Sequence, residues 1–170
     1  MAESQILVAR QENVVQVRVI GRATFKISRE LREFGAQVLK EDVKSIIFDF
    51  SQCQGMDSTF MGVLAMIGLE ARNKTAIIIV NASKQHRYLL DGIGISRLFE
   101  FSDEEVPDVN WHSLCKAAAG AADMSQMADT VVEAHRTLMD LDPENVPKFK
   151  DVVELLSNEV DEAKKKEGIG

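Results

Sequence analysis

Apolar and polar residues alternate over residues 14–20, with Val15, Val17 and Val19 on one side and Gln16 and Arg18 on the other. That is the period of a half-buried strand. Residues 6–10 form a shorter apolar run, and Gln11-Glu12-Asn13 between the two predicts a hairpin. Gly21 breaks the second strand. Ile27, Leu31, Phe34 and Val38 then recur at spacings of four, three and four, which predicts an amphipathic helix. Residues 43–50 read as a buried strand, followed by a short polar loop that delivers Asp57-Ser58-Thr59 to the start of an apolar helix. Phe60, Val63, Leu64 and Ile67 mark the core face of that helix, and Gly62 is expected to let it approach the sheet closely. Residues 75–80 are a near-continuous apolar strand. Ser83 is placed as the cap of a third helix through Leu90, ended by Gly92 and Gly94. Residues 98–101 read as a short strand and residues 111–122 as another helix.

Strands that alternate with helices need crossover connections, so the pattern predicts an α/β fold with a mixed sheet and helices mainly on one face. Beyond about Asp123 the pattern changes. Met127, Val131, Ala134 and Leu138 make one helical stripe, and Phe149, Val152, Val153, Leu156 and Val160 make another. Asp142-Pro143-Glu144-Asn145-Val146-Pro147 separates them, so residues 123–170 read as a helical hairpin appended to a domain of residues 1–122. The stripes need burial. Packing on the same chain is the preferred expectation, and a homodimer through the hairpin is the second.

Charge narrows the partners. The net charge is −7, and residues 125–170 hold −5 of it. An acidic surface disfavours direct nucleic-acid binding and anionic membranes. No apolar run approaches the length of a membrane span, and the first residues lack the pattern of a signal peptide. Cys53 and Cys115 show no metal spacing, and the expected compartment is a reducing cytoplasm. His86, His112 and His135 are scattered, with no metal spacing and no evident pairing with a nucleophile. No catalytic constellation, metal site or cofactor is expected. Asp49 is read as an exposed charge at a strand end, Cys53 as a small loop residue.

The chemistry that remains lies at the strand–helix corner. A hydroxyl at the start of a helix sits at its positive end, where it can cap the helix or carry a phosphate. A phosphate there adds roughly −1.5 to −2 charge and changes what can dock on the corner. Met61 beside Ser58 suits an adaptable partner contact if exposed.

The element order and the corner Met56-Asp57-Ser58-Thr59-Phe60-Met61-Gly62-Val63-Leu64 resemble the STAS domain of bacterial anti-sigma factor antagonists. Leu89-Leu90-Asp91-Gly92-Ile93-Gly94-Ile95-Ser96-Arg97-Leu98-Phe99 resembles that family's third helix and the turn into its last strand. The resemblance covers about residues 5–122. It implies a phosphoacceptor at Ser58, with Thr59 the weaker candidate, and a docking surface formed by Asp57, Ser58, Thr59 and Met61. It implies as partners an anti-sigma serine kinase, sequestered by the unphosphorylated form so that a sigma factor is freed, and a serine phosphatase. Two departures stand out. Gly21-Arg22-Ala23-Thr24 replaces the family's frequent Gly-x-Leu-Asp, which points to a different kinase or none. Phe60 replaces a common Gly and is expected to narrow access to Ser58. The rival readings are a constitutive docking subunit of a transporter or regulatory complex, and a sensory module for a small ligand.

Overall fold

The computed structural model describes residues 3–107, 109–114 and 124–167. Six strands form one mixed sheet: β1 (Gln5–Gln11), β2 (Val14–Ala23), β3 (Ser45–Met56), β4 (Ala76–Val80), β5 (Glu100–Ser102) and β6 (His112–Ser113). Their order is β5-β4-β3-β2-β1-β6. β1 pairs antiparallel with β2 and with β6, while β2–β3, β3–β4 and β4–β5 are parallel. The parallel pairs are joined through α1 (Phe25–Val38), α2 (Ser58–Glu70) and α3 (Lys84–Gly92). Each crossover steps to the next strand in the same direction, so right-handed connections put all three helices on one face. Val15, Val17, Val19, Ile46, Phe48, Ile77 and Ile79 meet Leu31 and Leu64 there in the core.

The hairpin is α4 (Met124–Leu141) and α5 (Val146–Glu167), joined by a 3-10 turn Pro143–Asn145. It packs on the same chain as a further layer: α4 lies on α2 and α1, and Ala134 and Leu138 join the core. α2 is therefore covered on both sides, and its buried residues run around the helix: Thr59, Phe60, Met61, Gly62, Val63, Leu64, Ala65, Ile67 and Gly68.

Several expectations change. The polar loop after Phe50 is strand: β3 continues to Met56, paired with β2 as far as Ala23–Met56. The helix expected over residues 111–122 begins instead with β6, whose His112 and Ser113 pair with Val8 and Leu7; the rest of that segment lies outside the described residues. Gly62 does not serve the sheet. A Cβ there would lie 2.6 Å from the Ala134 carbonyl oxygen, so the missing side chain admits the backbone of α4. Val152 faces out at 41% exposure.

Asp49 is also not an exposed strand-end charge, being 1% exposed. It stands in register with Arg18 on the neighbouring strand, whose Nε donates to Asp49 Oδ2 at 2.8 Å. Oδ1 accepts from the Ser51 amide at 3.0 Å and Asn81 Nδ2 at 3.1 Å. Burial pushes this carboxyl up, but those bonds together hold it below its ordinary value. Arg18 in turn stacks on Trp111, 4.4 Å from the ring centroid.

Candidate functional site

β3 delivers the corner. Its last backbone link is the Asp57 amide, which donates to Ala23 O at 2.9 Å. Asp57 is extended and is the N-cap of α2. Its Oδ1 accepts from the Phe60 amide at 2.8 Å, and its Oδ2 accepts from the Phe25 amide, the first of α1, also at 2.8 Å. One carboxylate thus serves the positive ends of two helices. Thr24, which stands where an acid is frequent in the resembled family, caps α1 from the other side through the Lys26 amide at 3.4 Å.

Ser58 is therefore not a cap. It is the first residue of the helix, half-buried, and its hydroxyl is spare. That hydroxyl meets His135 Nε2 on α4 at 2.8 Å. His135 Nδ1 lies 2.6 Å from Val131 O. A carbonyl oxygen can only accept, so Nδ1 carries the hydrogen and Nε2 of the neutral ring accepts from Ser58. The ring is 4% exposed and packs on Phe149 of α5, with centroids 4.8 Å apart. The pairing spans 77 residues of sequence and corrects the expectation that no histidine meets a nucleophile. Because Nδ1 is oriented by a backbone carbonyl rather than a carboxylate, the pair lacks the third group of a catalytic triad.

The rest of the expected docking surface is covered. Thr59 is 4% exposed and Met61 5%, so the expectation of an available Met61 does not hold while α4 is in place. Phe60 turns fully into the core against Phe50, with ring centroids 6.5 Å apart, and does not stand over Ser58. Of the four residues, Asp57 and Ser58 are the two half-buried ones.

The neighbours are structural. Cys53 is buried within β3; burial pushes its thiol up, against hydrogen bonds at Gly55 and Ala23, which opposes thiolate reactivity. His86 is buried too, edge-on to Phe50 at 5.7 Å. It completes a capping box by accepting from the Ser83 amide at Nδ1, 3.1 Å, while Ser83 Oγ accepts from the His86 amide at 3.0 Å. Burial lowers its proton affinity below the ordinary value, against a bond to the Cys53 carbonyl. Among the described residues no group of three His, Cys, Asp or Glu side chains could hold a metal ion, and no helix is long and apolar enough to cross a membrane.

Two ends hold the hairpin over this corner. At its turn, Asn145 is wholly buried and its Nδ2 donates to Ile93 O and Leu138 O, each at 2.9 Å. Arg97 adds a bond to Leu141 O at 3.1 Å and Lys148 one to Gly92 O at 3.2 Å. At the other end the ties are exposed: Arg29 to Gln126 and Arg32 to Glu133. A mostly apolar cleft of about 280 Å³ opens there between Phe25 and the hairpin's Met127, Val131, Leu156 and Val160. Asn145 and His135 were missed by sequence reasoning. The signal for His135 was indirect: an α2 apolar on every side demands a second covering layer.

The STAS domain family model matches residues 5–106. The anti-sigma factor antagonist SpoIIAA in its unphosphorylated form is similar in structure, with a TM-score of 0.51 and 19% identity over 61% of this chain and 90% of that chain. An anti-sigma factor antagonist from Mycobacterium paratuberculosis is similar with a TM-score of 0.53 and 18% identity, over 60% of this chain and 87% of that chain. At such identities the likeness is one of fold. No curated protein matches by sequence. The α4–α5 hairpin lies outside the family match.

Proposed function

Because the chain belongs to the STAS domain family, whose model matches more than half of it, we propose that it is a non-enzymatic protein-interaction switch controlled by phosphorylation of Ser58. In this reading it resembles an anti-sigma factor antagonist: unphosphorylated, it sequesters an anti-sigma serine kinase and frees a sigma factor, and a serine phosphatase resets it. The covalent step moves the γ-phosphoryl group of a nucleoside triphosphate to Ser58 Oγ. The hydroxyl gives up its proton and the nucleoside diphosphate leaves; hydrolysis by water returns the hydroxyl and releases phosphate.

The observation that carries this reading is the division of labour at the corner. Asp57 alone caps α2, and its second oxygen holds the first amide of α1. Ser58 has no such duty, so its hydroxyl can be modified without removing a cap from α2. A dianionic group at this place faces two helix N-termini, which favours it, and one carboxylate, which opposes it. The net result is a change of surface charge with the sheet domain retained.

The test is mass spectrometry of the chain purified from its own cells with phosphatases inhibited. Phosphate on Ser58 in some growth or stress condition is the expected result. Ser58 unmodified in all of them overturns the switch and leaves a constitutive docking subunit, in which the Ser58–His135 bond is only a joint between α2 and α4.

A further inference from the structure

We propose that His135 is a built-in receiver for a phosphate on Ser58, so that phosphorylation fastens α4 more tightly to the corner. The inference deepens the reading of Ser58 as phosphoacceptor and rests on it.

The ring is already aimed. Nδ1 is committed to Val131 O on its own helix, so Nε2 faces Ser58 Oγ at 2.8 Å and accepts its hydrogen. When a phosphoryl group replaces that hydrogen, Nε2 takes the proton that the hydroxyl gives up. The imidazole becomes a cation with an N–H at both nitrogens. One stays on Val131 O and the other donates to a phosphoryl oxygen. A neutral hydrogen bond gives way to one between opposite charges, and such bonds are roughly twice as strong. The phosphoryl group has room, because Ser58 is only half-buried. The histidine side is closed, with the ring 4% exposed, so water screens the pair weakly.

The surrounding charges leave this task to His135. Residues 58–61, the first turn of α2, carry no charged side chain. On α1, Arg29 is held by Glu33 and Gln126, and Arg32 by Glu133 of α4. Arg136 of α4 is turned to Ser157 of α5, and the wall that α5 sets against the ring is Phe149. Asp57, next to Ser58, has both oxygens on backbone amides, and its charge favours a cation on His135 as well. The ring is also held in place: its neighbour Ala134 lies over Gly62, too close for even a methyl group between the helices.

The direction agrees with the proposed switch. In the unphosphorylated chain a neutral bond ties α4 to Ser58, and the ties near Phe25, Arg29–Gln126 and Arg32–Glu133, are exposed and hold weakly. A partner that docks on Thr59 and Met61 displaces these ties and replaces the apolar contacts of α4 with its own, while the hairpin pivots about its turn at buried Asn145. In the phosphorylated chain the partner must also break an ion pair with little water to take its place. Free Ser58 thus admits the partner, and phosphoserine keeps Thr59 and Met61 covered.

Hydrogen exchange read by mass spectrometry tests this on the full chain with phosphoserine encoded at position 58, against the unmodified chain. Encoding the modification separates this claim from whether cells ever phosphorylate Ser58. The expected result is exchange at least about threefold slower in α4 of the phosphoserine chain, with the amides of β2, β3 and β4 unchanged. Nitrogen NMR of the His135 ring at neutral pH is expected to show both nitrogens protonated in the phosphoserine chain and Nδ1 alone in the unmodified one. His135→Phe keeps a ring against Phe149 but no nitrogen, and is expected to abolish the slowing; where that variant does not fold, the two measurements on the parent chains decide. Exchange in α4 that is unchanged or faster with phosphoserine overturns the inference, as does a ring that stays neutral. Equal slowing in His135→Phe overturns it too, because the phosphate then fastens α4 through another group.

Discussion

Replacing Asp57 by Ala tests whether this acid is a structural staple. In the structure its two oxygens accept from Phe60 and Phe25, the early amides of α2 and α1, each at 2.8 Å. Loss of the N-cap of α2 costs about 1 kcal/mol. Loss of the Phe25 bond costs roughly 0.5–1 kcal/mol, below the usual range for a charged acceptor because Phe25 is 41% exposed and water can take its place. Removing the negative charge from two helix N-termini adds about 0.3–1 kcal/mol. The expected total is about 2–3 kcal/mol. Against a typical stability of roughly 5–15 kcal/mol the variant still folds. The assay is urea unfolding of the full chain, read as a lower midpoint at unchanged slope. Asp57→Asn is the informative companion. It still caps α2 through its oxygen, but turns an amide NH₂ toward the Phe25 N–H, so about half of the loss is expected. An Asp57→Ala unfolding free energy within about 0.5 kcal/mol of the parent refutes the staple and returns Asp57 to a purely recognition role.

Asn145→Ala is expected to lower stability by about 1–3 kcal/mol in the same assay, because it takes the Nδ2 donor from Ile93 O and from Leu138 O, which keeps the Asp142 amide, in a wholly buried place; a loss under about 0.5 kcal/mol contradicts the anchoring of the turn. Arg18→Ala is expected to cost about 2–4 kcal/mol by leaving the buried Asp49 carboxylate without its cation, and Arg18→Lys to recover only part, since an ammonium cannot both reach Asp49 and stack on Trp111 as a guanidinium does. His86 binds its proton less readily folded than unfolded, so its contribution is present above about pH 6.5 and is lost as pH falls through the lower folded value. The urea midpoint is therefore expected to drop on acidification below that point, and His86→Asn, which cannot titrate, to flatten the drop; a parallel drop in both chains removes His86 as the cause.

Much of the sheet domain was legible because its signals are local. The alternation in β2, the apolar run of β4 and the Ser83 cap each lie within a few residues, and each element formed there, although β2 runs past Gly21, the residue expected to break it, as far as Ala23. What local pattern could not show was pairing. Gln52 and Gln54 read as loop, yet they are the outward residues of a strand whose ladder with β2 continues to Met56. Asp49 read as exposed because the residue that neutralises it, Arg18, is 31 positions away and adjacent only once β2 and β3 lie in register. Gly62 read as a contact with the sheet because the second surface that needs it belongs to α4.

The same limit hid the most consequential residue. His135 carries no sequence motif; it sits on a stripe of Met127, Val131, Ala134 and Leu138 that any amphipathic helix would show. Its meaning comes from Ser58 alone, and Ser58's from the strand and helix that deliver it. A motif can mark the hydroxyl to be modified, but whether that hydroxyl is open to a partner is decided by what folds back over it. Here an acidic hairpin outside the family match does so, seated through a glycine and caught by a single imidazole. The corner and the hairpin are thus packed as one unit: a substitution in α4 that never touches the motif is expected to change the exposure of Ser58.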